Sequence, residues 1–118
     1  MQKVLLLFCF FVILVGCSNR SETEPIHPLF SNDESKYSLL VVDDTGIYNL
    51  DNEWKTKNGI KNVKKIHGRT SLEDTANSYK FLELEETPTF IVFDVKDVVF
   101  KTNSEEELIE FLLENNPN

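Results

Sequence analysis

The stretch Thr87-Pro88-Thr89-Phe90-Ile91-Val92-Phe93-Asp94 decides how this chain folds. Its four consecutive apolar residues follow a short polar segment with a proline and end at an aspartate, a pattern typical of a short strand that is buried on both faces. Asp94-Val95-Lys96-Asp97 comes next and predicts a turn, in which Asp94 and Asp97 serve the turn itself. Val98-Val99-Phe100-Lys101 then predicts the antiparallel return strand of a hairpin.

Two further strands are predicted upstream of this hairpin. Ser38-Leu39-Leu40-Val41-Val42 is a second short apolar run that ends in a turn, Asp43-Asp44-Thr45-Gly46. Such a run suits a strand in the middle of a sheet. The segment Asn62 to His67 alternates loosely and predicts another strand, which ends at Gly68. Between them, Ile47 to Lys61 predicts a short irregular helix or a loop.

Two helices are predicted from their capping signals. Thr70-Ser71 is followed by acidic residues at the capping distance, and the resulting helix is expected to end near Phe81 or Leu82. Ser104-Glu105-Glu106-Glu107 forms a capping box that begins a C-terminal helix, and its acids suit the positive end of the helix dipole. Strands and helices first alternate and an antiparallel pair then follows, which predicts an α/β fold with a mixed sheet flanked by helices.

This order of elements, with Thr87-Pro88-Thr89 before the penultimate strand, resembles the thioredoxin fold. The resemblance covers Val63 to Leu113, and Ser38 to Asp44 would be the strand that leads into the family's active-site turn. It implies a cis Thr87–Pro88 bond, and it implies that the backbone beside this proline pairs with an extended peptide. Thr87 and Pro88 are therefore candidate peptide-binding residues.

The chain departs from the thioredoxin pattern at the family's active-site turn. Thioredoxins carry Cys-x-x-Cys there, whereas this turn reads Asp43-Asp44-Thr45-Gly46-Ile47-Tyr48. Thiol–disulfide exchange requires an attacking sulfur, so we expect a redox-inactive domain that is not an enzyme. No catalytic residue is assigned.

The paired carboxylates Asp43 and Asp44 leave two interpretations open. They could bind a cation or act as an acid and a base, but adjacent strand residues point to opposite faces and do not converge without a turn. The interpretation preferred here is that both are solvated carboxylates at a strand end.

His67 is interpreted as a surface or hydrogen-bonded packing residue, and Trp54 as a packing residue with partner contact as the alternative. The chain has no phosphate loop and no metal-spaced histidine motif, so no cofactor and no metal are expected.

The N-terminus reads as an export signal. Lys3 precedes twelve uncharged apolar residues, Val4 to Val15, a run too short to cross a bilayer comfortably. Leu14-Val15-Gly16-Cys17 resembles the lipobox of bacterial lipoproteins. That resemblance implies cleavage between Gly16 and Cys17 and a diacylglycerol thioether on Cys17. The alternatives are an uncleaved anchor, a buried core helix or an ordinary signal peptide cut at another bond.

The predicted organisation has three parts: a signal peptide over residues 1–16, a lipidated N-terminus and flexible linker over 17–36, and a thioredoxin-like domain over 37–118. Pro25 and Pro28 interrupt a polar stretch in the middle part, which suggests a tether. His27 lies between these prolines and is interpreted as a solvated linker histidine.

Charge and cysteine content narrow the function further. The full chain carries a net charge of −8, and loss of residues 1–16 leaves 11 basic against 20 acidic residues, hence −9. This acidic balance argues against nucleic acid as a partner. Of the two cysteines, Cys9 lies in the signal and Cys17 is the lipid site, so the processed protein would have no free thiol.

These observations predict a lipoprotein on the extracytoplasmic face of the bacterial cell membrane. Its diacylglycerol anchor on Cys17 would hold it there, and its domain would bind a protein or peptide partner in the cell envelope. The alternative is a structural envelope lipoprotein that associates with peptidoglycan. A hydrolase or metal-dependent enzyme built on the carboxylates is the third interpretation.

Overall fold

The computed structural model describes residues 27–117. The predicted signal peptide, Cys9, the cleavage site at Gly16 and the lipid site at Cys17 lie outside these residues. In chain order the elements are β1 (Tyr37–Val42), α1 (Asn52–Lys57), β2 (Val63–Arg69), α2 (Leu72–Ser78), a 3-10 turn (Lys80–Leu82), β3 (Thr89–Phe93), β4 (Val98–Thr102) and α3 (Glu105–Glu114).

The four strands form one mixed sheet in the order β2-β1-β3-β4. β1 runs parallel to β2 and antiparallel to β3, and β3 and β4 form the predicted antiparallel hairpin. Every residue of β1 and of β3 is buried, which confirms that the two apolar runs occupy the middle of the sheet. The mixed α/β architecture predicted from the sequence is therefore confirmed.

Alternation along the central strands divides the core between the two faces of the sheet. Leu39 and Val41 of β1 pack in a cluster with α1 and α3 residues such as Trp54 and Leu108. Leu40 and Val42 point the other way. They pack against a smaller cluster of residues that precede β1, follow α2 or lie in β3: Leu29, Leu82, Ile91 and Phe93.

The two helices predicted from their caps, α2 and α3, begin at those caps, and α2 is shorter than predicted. Ser71 accepts a hydrogen bond from the Asp74 amide, and Ser104 accepts one from the Glu107 amide. α2 ends at Ser78, earlier than predicted, because Tyr79 leaves the helical backbone and the chain tightens into the 3-10 turn. No helix in the described part of the chain is long and apolar enough to cross a membrane.

The segment before β1 corrects the predicted boundary at residue 37. Within residues 27–36, Leu29 is 1 % exposed and Ser31 is 2 % exposed. The Ser31 amide donates to the Asp94 carbonyl at 3.0 Å, and the Ser31 hydroxyl donates to the Lys36 carbonyl at 2.7 Å. Apolar burial and paired backbone groups join this segment to the domain, so the part of the predicted linker from 27 to 36 belongs to the folded unit.

Candidate functional site

Four of the residues singled out by sequence, Asp43, Asp44, Thr87 and Pro88, lie at one end of the strands. Val42, the last residue of β1, pairs with Thr89, the first residue of β3, and on its other side with Arg69, the last residue of β2. The turn after β1 and the Thr87–Pro88 pair before β3 therefore lie at the same end of the strands. We call this end the site edge. The Thr87–Pro88 peptide bond is cis, as the resemblance implies.

Asp43 organises the turn at the site edge and is not a solvated carboxylate. The residue is 3 % exposed. One carboxylate oxygen accepts from the Thr45 hydroxyl at 2.7 Å and the Thr45 amide at 3.0 Å, and the other accepts from the amides of Ile47 at 2.9 Å and Tyr48 at 3.0 Å. The Thr45 hydroxyl and then these amides stabilise the charged form and lower the pKa of Asp43, although burial opposes the shift. The sequence interpretation of Asp43 as solvated is corrected accordingly.

Asp44 has a separate structural role. Its carboxylate is exposed and accepts from the amide of Leu72, the first residue of α2, at 2.7 Å. It therefore ties the turn after β1 to the start of α2. The two carboxylates accept hydrogen bonds from different backbone segments: Asp43 from its own turn, and Asp44 from the start of α2. The geometry disfavours both a convergent acid–base pair and a shared cation.

Thr87 and Pro88 are half-buried and are held from the β4 side. The Asn103 side-chain amide donates to the Pro88 carbonyl at 2.8 Å and to the Thr89 hydroxyl at 3.0 Å. Thr89 in turn donates to the Glu86 carbonyl, which closes the turn that enters β3. Within residues 27–117, neither the amide nor the carbonyl of Thr87 makes a hydrogen bond. One backbone donor and one backbone acceptor of the same residue are thus unpaired within this part of the chain.

Sequence reasoning missed two residues of this edge. Asn103 has no recognisable motif, but it follows Thr102, which pairs with Phe90, so the hairpin register is the signal that places it beside Pro88. Ile47 is 73 % exposed although it is a large apolar residue. Its backbone is fixed by Asp43, so its side chain is presented to solvent from an ordered turn.

Trp54 packs, as predicted. It is 8 % exposed, and its indole N–H donates to a Glu105 carboxylate oxygen at 2.8 Å. This bond satisfies the polar edge of the buried ring and links α1 to the first turn of α3. Trp54 therefore belongs to the larger core cluster and holds α1 against α3. Among residues 27–117, no group of three or more His, Cys, Asp or Glu side chains is placed to hold a metal ion.

His67 lies half-buried in β2, and its buried Nε2 atom has no hydrogen-bond partner within residues 27–117. Burial, followed by the positive charges of Arg69 and Lys65, lowers the pKa of His67. The unfolded chain consequently binds a proton at His67 more readily than the folded chain does. Above the unfolded pKa of about 6.5, His67 is neutral in both states and does not lower the free energy of unfolding. As the pH falls below this value, protonation favours the unfolded chain and the free energy of unfolding decreases.

We therefore expect His67→Gln to reduce the loss of stability on acidification. The measurement is urea unfolding at about pH 7.5 and about pH 5.5, which lies above the range where most carboxylates titrate. The wild-type protein should lose more stability between these pH values than His67→Gln does. His27→Gln, the matched histidine control, should retain the part of the pH dependence that His67 causes. Equal pH dependence in wild type and His67→Gln would contradict the assignment.

Comparison of the chain with protein-family models, with curated proteins and with solved structures finds no match.

Proposed function

We propose that this protein is a lipid-anchored extracytoplasmic lipoprotein of the bacterial cell membrane, and that its redox-inactive, thioredoxin-like domain binds an extended protein or peptide segment. The anchor would be a diacylglycerol on Cys17 after cleavage between Gly16 and Cys17. The peptide would lie along the site edge, where its backbone pairs with Thr87 beside Pro88.

The thioredoxin-like assignment is supported by the order of the elements. A central strand leads into a turn, a second strand and a helix follow, and a cis proline precedes a hairpin and a C-terminal helix. The turn after β1 holds Asp43 and Asp44 where the family has its cysteines, and both carboxylates are occupied by protein donors. This arrangement supports a binding function in preference to a catalytic one.

Two observations at the site edge carry the peptide-binding proposal: the backbone N–H and C=O of Thr87 make no hydrogen bond within residues 27–117, and the side chain of Ile47 in the turn after β1 is exposed. Strand addition supplies affinity through main-chain hydrogen bonds and specificity through side-chain contacts. The backbone of Thr87 can supply main-chain hydrogen bonds, and the side chain of Ile47 can supply an apolar side-chain contact. Asn103 holds the Pro88 carbonyl from behind, so this backbone is ordered before a peptide arrives.

Site-specific photo-crosslinking in intact cells tests the proposal. A benzophenone amino acid replaces Ile47 in one variant and Leu113, which is 56 % exposed on α3, in a control variant. We expect defined protein adducts from position 47 and none in common with position 113. Changing both Thr87 and Pro88 to alanine should abolish the adducts at position 47, because proline fixes the backbone angle φ that alanine leaves free. Thermal melting should show that the domain remains folded.

Two outcomes would contradict peptide binding at this edge. Adducts that are the same at positions 47 and 113, or that persist in the Thr87 and Pro88 double variant, would mean that the site edge does not select the partner. The alternative, a structural lipoprotein bound to peptidoglycan, predicts sedimentation with purified peptidoglycan that the double variant leaves intact.

A further inference from the structure

Four aromatic side chains, two from the segment before β1 and two from the segment after α2, pack together. We call His27, Phe30, Tyr79 and Phe81 the aromatic patch. The His27 ring centroid lies 5.3 Å from that of Tyr79 and 5.3 Å from that of Phe81, in edge-to-face arrangements, and 5.7 Å from that of Phe30. These separations are those of interacting aromatic pairs. His27 is therefore a member of an aromatic cluster, which corrects its interpretation as a solvated linker histidine.

The aromatic patch is both fixed to the core and open to solvent. Phe30 stacks on Phe93 at 5.3 Å, and Phe93 is fully buried in the sheet. Phe81 is 52 % exposed although it lies beside the rings of His27 and Phe30. The rest of the patch is half-buried. The outer surface of the cluster thus presents aromatic carbon and the imidazole to the surroundings.

The aromatic patch lies at the opposite end of the strands from the site edge. Phe93, which supports Phe30, pairs with Ser38 near the start of β1, whereas Thr89 pairs with Val42 at the end of β1. α2 begins beside Asp44 at the site edge, and Tyr79 and Phe81 follow its far end. The domain therefore carries its exposed aromatic surface and its candidate binding surface at two opposed ends.

Chain length limits how far the aromatic patch can be from the proposed anchor. His27 lies ten positions after Cys17, and an extended chain spans at most about 3.5 Å per residue, so the limit is about 35 Å. A lipidated Cys17 would hold the patch within this distance of the bilayer. A short tether gives an effective local concentration in the millimolar range, so a weak contact is enough for docking.

We propose that the aromatic patch docks on the lipid–water interface of the membrane that carries the anchor. This inference rests on the proposed lipidation of Cys17. Aromatic rings with a polar edge favour the interfacial region of a bilayer, and His27 and Tyr79 combine with the apolar Phe81 in this way. None of the four patch residues carries a carboxylate, so the patch itself adds no negative charge that would oppose approach to a bilayer. Docking there turns the site edge, with Thr87 and Ile47, away from the lipid.

The experiment uses the lipidated, full-length processed protein in vesicles of phosphatidylcholine and phosphatidylglycerol. Two variants each add one indole at an exposed apolar position: Phe81→Trp in the patch and Ile47→Trp at the site edge. The parent protein supplies the signal of native Trp54, which is subtracted. Phosphatidylcholine brominated on its acyl chains is the quencher. We expect the indole added at position 81 to shift to shorter emission wavelength and to lose intensity, with neither change at position 47.

The remaining outcomes overturn the proposal in distinguishable ways. Emission from position 81 that is quenched no more than that from position 47 would show that the lipidated protein does not dock by this patch. A shift to shorter wavelength without quenching, together with a doubled mass in detergent, would assign the patch to a second copy of the chain. Absence of lipid on the purified protein by mass spectrometry would instead remove the anchor on which the inference rests. Thermal melting confirms that both variants are folded.

Discussion

Cys17→Ser is expected to abolish lipid attachment completely and to leave the precursor uncleaved. A serine hydroxyl cannot form the thioether that the lipobox resemblance implies, and the lipoprotein-specific peptidase acts on the lipidated precursor. Two acyl chains bring about 0.8 kcal/mol of membrane affinity for each buried methylene, whereas one chain holds only marginally. Metabolic labelling with a radioactive fatty acid measures the loss of lipid, and gel mobility measures retention of residues 1–16.

Cys9→Ser provides the matched control, because Cys9 is the only other cysteine of the chain and lies inside the predicted signal peptide. It should leave both labelling and processing unchanged. If Cys17→Ser remained normally processed and bound to the membrane, the anchor proposal would be wrong. An unlabelled but secreted wild-type protein would indicate an ordinary signal peptide, and an unlabelled protein of precursor length would indicate a retained anchor.

Strong local patterns account for the parts of the fold that could be predicted. The apolar runs of β1 and β3 leave few alternatives to central strands, since every side chain in them needs a buried environment. Ser71 and Ser104 could be recognised as helix caps because a cap is a contact between residues three apart. The Asp94 carboxylate accepts from the amides of Lys96 and Asp97, a similarly local contact that confirms its role in the turn.

Most of the features that could not be predicted depend on contacts between residues far apart in the chain, and Asp43 is an exception because its donors lie only two to five residues further on. Asp43 is polar and follows a strand, which suggests exposure, but the chain folds back so that three later residues donate to its carboxylate. Asn103 reaches Pro88 only through the register of the hairpin. Leu29 and Phe30 are two adjacent apolar residues in a polar, proline-containing stretch. A run of two apolar residues is too short to predict burial.

Leu29→Ala is expected to destabilise the domain by about 2–4 kcal/mol, because it removes buried methylenes and leaves a cavity. Leu29 is 1 % exposed and packs in the cluster that contains Leu40 and Phe93. The loss is a large fraction of the roughly 5–15 kcal/mol by which small domains are stable. For a domain of this size it corresponds to a fall in melting temperature of roughly 10 °C or more. Urea unfolding, followed through the fluorescence of the single tryptophan, Trp54, measures the change.

Leu113→Ala makes the same chemical change at a position that is 56 % exposed, and it should alter the free energy of unfolding by no more than about 0.5 kcal/mol. The difference between the two variants decides where the folded unit begins. If Leu29→Ala were as mild as Leu113→Ala, residues 27–36 would behave as the tether that the sequence predicts. A large difference would place Leu29 in the core and show that the aromatic patch is built on the folded domain and not on a linker.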